Sequence, residues 1–191
     1  MAATKELPIL SFASVSLFER WLLENHQLAG VWIKMAKKAS GIASVTHDEA
    51  LDVALCFGWI DGQRNGHDGS YFLQKFTPRR PKSLWSKRNT TKIAKLTAEG
   101  RMQPSGLAEV ATAKRDGRWK AAYAGSKEMV FPKNFLKALE KNKKARAFFS
   151  TLSKTNIYAI AWRLETARKP ETRQRRFATL LAMLERGKKF H

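Results

Sequence analysis

The stretch GWIDGQRNGHDGSYFLQKFTPRR, residues 58–80, decides how the fold is read. Trp59-Ile60-Asp61 and Tyr71-Phe72-Leu73-Gln74-Lys75-Phe76 carry the aromatic and β-branched residues that suit a pleated, half-buried surface. Between them Asn65-Gly66 and Asp68-Gly69 supply residues that tolerate positive φ and cap turns locally. The pattern predicts a β-hairpin with a loop longer than the tightest Asn-Gly turn, and it places His67 at the exposed tip.

Upstream of the hairpin, Thr46 and Glu49 stand at capping-box spacing, and Ala50, Leu51, Val53, Ala54 and Phe57 continue a helix buried on much of its circumference, stopped by Gly58. VWIKMAKK, residues 31–38, alternates Val31, Ile33 and Met35 against Trp32, Lys34 and Ala36 as a strand does, and Ser40-Gly41 breaks it. Before it, Pro8, Ile9, Leu10 and Phe12 form a short extended start. A helix follows with Val15, Phe18 and Leu22 on one face, capped by Ser14 or Ser16; Ser16 and Glu19 fit a capping box.

Downstream, Pro78 and Pro81 predict an extended PRRPKS, because proline disfavours helix at itself and at the residue before it. Ser83 or Ser86 caps a helix through Lys87, Thr91, Ile93 and Leu96 that ends near Gly100, and a second runs through Leu107, Val110 and Ala111. Residues 116–126 read as a loop or linker. Residues 131–191 read as helical, with apolar faces at Phe135, Leu136 and Leu139, at Ile157, Ile160, Ala161 and Leu164, and at Phe177, Leu180, Leu181 and Leu184, and with Gly187 stopping the last helix. Arg163, Arg168, Arg173, Arg175 and Arg176 fall on the outer faces. The fold class is therefore α+β: a small mixed or antiparallel sheet with covering helices, followed by a C-terminal helical bundle. The expected domains are residues 1–126 and a helical domain, 127–191, packed on them.

With 43% apolar residues, six Trp and eleven Phe, the 191-residue chain has the material for a folded core. Its net charge of +20 is uneven. Residues 1–78 hold seven Lys/Arg and eight Asp/Glu; residues 79–191 hold 29 and eight. Such asymmetry points to an anionic partner: nucleic acid, an acidic protein or an anionic surface. Cys56 is the only cysteine, which excludes an internal disulfide and a Cys-based zinc site. MAATKELPIL lacks the shape of a targeting segment and no run of 18 apolar residues occurs, so the expectation is a cytoplasmic protein without a transmembrane segment.

Two clusters carry the polar chemistry. Asp61, Gln63 and Arg64 follow the apolar start of the hairpin, where a partly shielded acid needs a partner, expected in Arg64 or in a basic residue of 79–88. In TPRRPKSLWSKRN, Arg79, Arg80, Lys87 and Arg88 surround a predicted helix start whose free N–H groups favour anions, and Trp85 offers a stacking surface among them. These eight residues are the candidate ligand-binding or anion-binding set. Residues 147–167 have the helix, capped turn, helix pattern of a DNA-reading motif, with Thr155, Asn156, Tyr158 and Arg163 as its readers, and equally that of a plain helical hairpin. There is no phosphate-cradling glycine loop, nucleophile elbow or metalloprotease motif, so no catalytic residue, cofactor or metal is predicted.

The run ALCFGWIDGQRN, then SYFLQKFTPRRPKSLWSKRN, then LSKTNIYAIAWRLETARKPETRQRRFATLLAMLERGKKFH resembles the YdeI/OmpD-associated, or bacteriocin-protection, family over most of the chain. The resemblance implies a link with porin expression and with protection against bacteriocins or cationic antimicrobial peptides, and brings no reaction or catalytic residue. A strongly cationic chain repels cationic peptides, so protection is expected to run through an anionic partner. The resulting expectation is a non-enzymatic, anion-binding accessory protein. Alternatives are a nucleic-acid-binding protein using 79–88 and the C-terminal helices, and a small-molecule enzyme with a cleft at Asp61, Gln63 and Arg64.

Overall fold

The computed structural model describes residues 6–126 and 128–190; the first residues of MAATKELPIL lie outside them. The chain divides into two compact units, Met1–Ala122 and Tyr123–His191.

The first unit is built from β1 (Ile9–Leu10), α1 (Val15–Asn25), β2 (Val31–Ala36), a 3₁₀ turn (Lys38–Ser40), α2 (His47–Cys56), β3 (Trp59–Gly66), β4 (Tyr71–Pro78), α3 (Lys87–Ala98) and α4 (Pro104–Arg115). The sheet is mixed, in the order β1-β2-β4-β3, with β1 parallel to β2 and the other pairs antiparallel. Strand alternation turns Val31, Ile33, Met35 and Phe76 into the core, where they join Phe18 and Leu22 of α1 and Leu51 and Leu55 of α2. On the other face Lys34 lies over the Tyr71 ring at 4.3 Å and Lys75 over Trp32 at 5.6 Å. These cross-strand cation–π pairs let aromatic residues stand half-exposed.

Local chemistry fixes the helix that carries the site. Thr46 and Glu49 form the expected capping box: Glu49 N–H donates to Thr46 Oγ1, and Thr46 N–H donates to Glu49 Oε2 at 2.8 Å. Asp48 and Glu49 also sit in the first turn, where the helix dipole favours them. At the other end, a Cβ on Gly106 would lie 2.1 Å from the Cys56 carbonyl oxygen, so α4 crosses the end of α2 at backbone contact and only glycine fits.

Two local expectations are corrected. The cap of α1 is Ser14, so Ser16 lies inside the helix and no Ser16–Glu19 capping box forms; the two serine hydroxyls bond to each other at 3.0 Å. PRRPKS is not extended throughout: Ser83 N–H donates to Arg80 O at 3.0 Å, and Lys82 between them has φ +67°. Proline at the second position and positive φ at the third is the pattern of a type II turn, here with a lysine where glycine is preferred.

The second unit holds α5 (Lys133–Lys141), α6 (Lys143–Phe149), α7 (Lys154–Glu165) and α8 (Pro170–Glu185). Phe135, Leu139, Ala145, Ile160, Leu164, Leu180 and Leu184 form its core. Burying side chains of the size of Phe135 and Ile160 contributes ~1.5–3 kcal/mol each. Ser153 caps α7 by accepting the Asn156 N–H, and Pro170 takes the first position of α8, where its missing N–H costs nothing. The last helix stops just before Gly187, as the sequence indicates. Gly187, at φ +65°, lets Lys188 N–H donate to Met183 O, and the tail turns back so that Phe190 N–H donates to Asn156 Oδ1 at 3.2 Å. Among the described residues no helix is long and apolar enough to cross a membrane.

Candidate functional site

The hairpin brings Asp61 and Arg64 to one face through an irregularity. Asp61 pairs with Phe76 and Arg64 with Gln74, so Gly62 and Gln63 together oppose the single residue Lys75. This bulge changes the alternation; without it residues three apart would point to opposite faces. Gln74, buried, secures it by donating its Nε2 hydrogens to the carbonyls of Gly62 at 3.0 Å and Gln63 at 3.2 Å. Asp61 meets neither Arg64 nor the basic segment, contrary to expectation, but His47 at the start of α2: His47 Nε2 lies 3.1 Å from Asp61 Oδ2. Gln63 is exposed, and the Arg64 guanidinium lies 3.7 Å from the centre of the Phe72 ring.

The second predicted cluster separates into buried and exposed members. Trp85, at 1% exposure, belongs to the core and offers no free stacking face. Arg79, at 6% exposure, lies over its ring at 3.6 Å from the centre and donates from Nη1 to Leu84 O. Arg88 pairs with Asp48, and Lys92 bridges Asp48 and Asp52 at 3.1 and 2.6 Å. The hydrogen bond from Lys92, and then that from Arg88, hold the Asp48 carboxyl below its ordinary value. Arg118, at 4% exposure, donates Nε to Asp116 and Nη1 to Ser83 O, anchoring part of the predicted linker in the first unit. Of the basic set, Arg80, Lys87 and Arg88 are exposed, Arg88 in its pair with Asp48, and Lys82 lies at the turn between Arg80 and Lys87. Burial pushes the Cys56 thiol up to about 11, as suits an inert core residue.

In the helical unit the arrangement is different. Residues 123–191 contain 17 Lys/Arg and five Asp/Glu. Every ion pair among the described residues lies between residues 47 and 118, and none is in this unit. A cleft of about 260 Å³ opens between α7, α8 and the returning tail, lined by Trp162, Arg163, Arg175, Arg176, Thr179, Leu180 and Phe190. Asn156, a candidate base reader by sequence, is 5% exposed and holds the tail, so it cannot enter a groove. Neither the cleft nor the role of His47 is evident in the sequence. The nearest signal is Trp162 beside Arg163, followed by an Arg-rich α8 without nearby aspartates.

The geometry defines an α+β unit with several cations paired to carboxylates, followed by a helical unit whose described cations have no carboxylate partner. The chain belongs to the family described as Domain of unknown function (DUF8412), whose model matches residues 10–109. Residues 128–187 match the family model described as Bacteriocin-protection, YdeI or OmpD-Associated. The family resemblance is thus met in the helical unit and not over most of the chain; GWIDG, QKFTPRR and LWSKRN fall in the DUF8412 region. No curated protein and no solved structure matches the chain.

Proposed function

We propose that the protein is a non-enzymatic, anion-binding accessory protein of the bacteriocin-protection type, with the helical unit as its principal binding surface. The observation that carries this reading is the absence of any ion pair among the described residues of a unit with 17 Lys/Arg and five Asp/Glu. Cations without carboxylate partners keep their charge available to an external anion. Arg80 and Lys87, exposed near the start of α3, add a smaller patch to the first unit.

A role in resistance follows by an indirect route. A chain of net charge +20 does not attract cationic peptides, so protection runs through an anionic partner that the protein holds or modulates. The experiment is binding of inorganic polyphosphate and of a single-stranded oligonucleotide by the full chain across a salt series. Affinity falls linearly, on logarithmic axes, as salt rises. A chain that binds neither probe at low salt contradicts the reading. Preference for the oligonucleotide over polyphosphate of equal charge favours a nucleic-acid partner instead.

A further inference from the structure

The cleft between α7, α8 and the tail differs from a merely basic surface in how its arginines are held. Arg176 Nη1 donates to Arg163 O at 2.8 Å and to Thr166 Oγ1 at 3.2 Å. It thereby satisfies a carbonyl in the last turn of α7, where the helix dipole favours a cation, and its position is fixed from one side only. The Arg163 guanidinium lies over the Phe190 ring at 4.0 Å, an orientation set by the backbone turn at Gly187 and by the Asn156 clasp on the tail. Arg175 is exposed, with no side-chain partner among the described residues. Two of the three guanidinium groups are therefore preorganised, and no carboxylate lines the cleft.

The lining also restricts the chemistry of an occupant. Three guanidinium groups offer only donors, and the Thr179 hydroxyl already donates to Arg175 O at 2.9 Å, so the guanidinium groups set the chemistry and the occupant must be rich in acceptors and anionic. Trp162, Leu180 and Phe190 supply an apolar wall suited to a planar ring. The volume, about 260 Å³, lies just below the range of ~300–1,000 Å³ usual for ligand pockets, which limits the occupant to a small molecule. A phosphate dianion matches three cations better than a monocarboxylate does, since charge neutralisation is more complete.

The geometry points to a small-molecule site in this cleft that takes a phosphate monoester carrying one planar ring. Arg163, Arg175 and Arg176 hold the phosphate, and Trp162 and Phe190 hold the ring. This inference rests on the reading of the helical unit as an anion-binding surface, and its test separates the two.

The full chain is titrated calorimetrically with phenyl phosphate, inorganic phosphate, benzoate and phenol. Phenyl phosphate binds tightest, phosphate and benzoate more weakly, and phenol not at all. Arg175→Ala, at an exposed position, weakens phenyl phosphate about tenfold, the loss expected for charge-assisted hydrogen bonds. Phe190→Ala removes the advantage of phenyl phosphate over inorganic phosphate, and Lys144→Ala on α6 leaves both affinities unchanged. Equal affinity for phenyl phosphate and phosphate in the native chain overturns the inference, as does an equal loss in the Lys144 and Arg175 variants. If every small anion fails while polyphosphate or the oligonucleotide still binds, the inference falls and the wider reading stands; if both of those fail too, both readings fall.

Discussion

Two segments of this chain look alike on paper and have opposite fates. TPRRPKSLWSKRN, residues 77–89, and AWRLETARKPETRQRRF, residues 161–177, each set arginines around a tryptophan. In the first, Trp85 enters the core and Arg79 lies over it, while Arg88 and nearby Lys92 are engaged by aspartates of α2. In the second, Trp162 stays half-buried beside a cleft and the arginines meet carbonyls, a hydroxyl, an aromatic ring or solvent, but no carboxylate. The difference lies less in the basic residues than in what packs against them. Asp48 and Asp52 are supplied by a helix whose N-terminal turn favours acids, and α7 and α8 contain only Glu165, Glu171 and Glu185. Positive charge is available for function where the fold provides no counter-charge.

The largest test of this contrast is stability. Trp85→Ala should cost the first unit about 3–5 kcal/mol, the usual loss for a large aromatic removed from a core. Trp162→Ala should cost much less while weakening ligand binding at the cleft. Cys56, fully buried and the only thiol in the chain, reports the outcome through its labelling rate, which rises in the Trp85 variant and stays near the native rate in the Trp162 variant. Equal rates in the two variants would break the comparison.

Arginine should behave in the same divided way. Arg79→Ala removes a buried stacked stem and a hydrogen bond, with an expected loss of about 2 kcal/mol in denaturant unfolding. Arg175→Ala should change stability by less than ~0.5 kcal/mol, as is usual for exposed positions. A smaller effect than that at Arg79 is expected of Thr46→Ala, which breaks the capping box at the start of α2 at a cost of about 1 kcal/mol, read from the same unfolding curves.

The smallest expected effect is the pH dependence of the Asp48 pairs. The folded pKa of Asp48 lies below its ordinary value of 3.8, so its contribution is fully present above that pH and is lost as pH falls through the folded value. Because Asp48 is well exposed, solvent screening keeps the effect modest. Asp48→Asn should flatten the acid limb of the stability curve. An unchanged limb would mean that the pairs with Arg88 and Lys92 do not hold the charge.

Much of the fold is legible in the sequence because it rests on local rules. The alternation in β2, the capping box at Thr46, the hairpin turn residues and the apolar spacing of α7 and α8 all act over a few residues. The sites are less legible because they depend on long-range events. One extra residue at Gly62-Gln63 puts Asp61 and Arg64 on the same face, and His47, fourteen positions earlier, becomes the partner of Asp61. By its basic neighbours Trp85 suits a stacking surface, and its burial depends on distant partners such as Trp119, 5.0 Å away between ring centres. The stop at Gly187 is legible in the sequence, and the direction of the tail after it is not. The tail's reversal, held by Asn156, creates one wall of the cleft.

The division between engaged and available cations meets its sharpest challenge in the salt dependence of oligonucleotide binding by the native chain, an Arg163→Ala/Arg175→Ala variant and an Arg80→Ala/Lys87→Ala variant. Each single-strand phosphate that a variant fails to neutralise lowers the slope of log K against log salt by about 0.7. A clear drop in slope is expected for the helical-unit variant and a smaller one for the first-unit variant. A native slope in the Arg163/Arg175 variant, with the whole drop in the Arg80/Lys87 variant, would contradict that division.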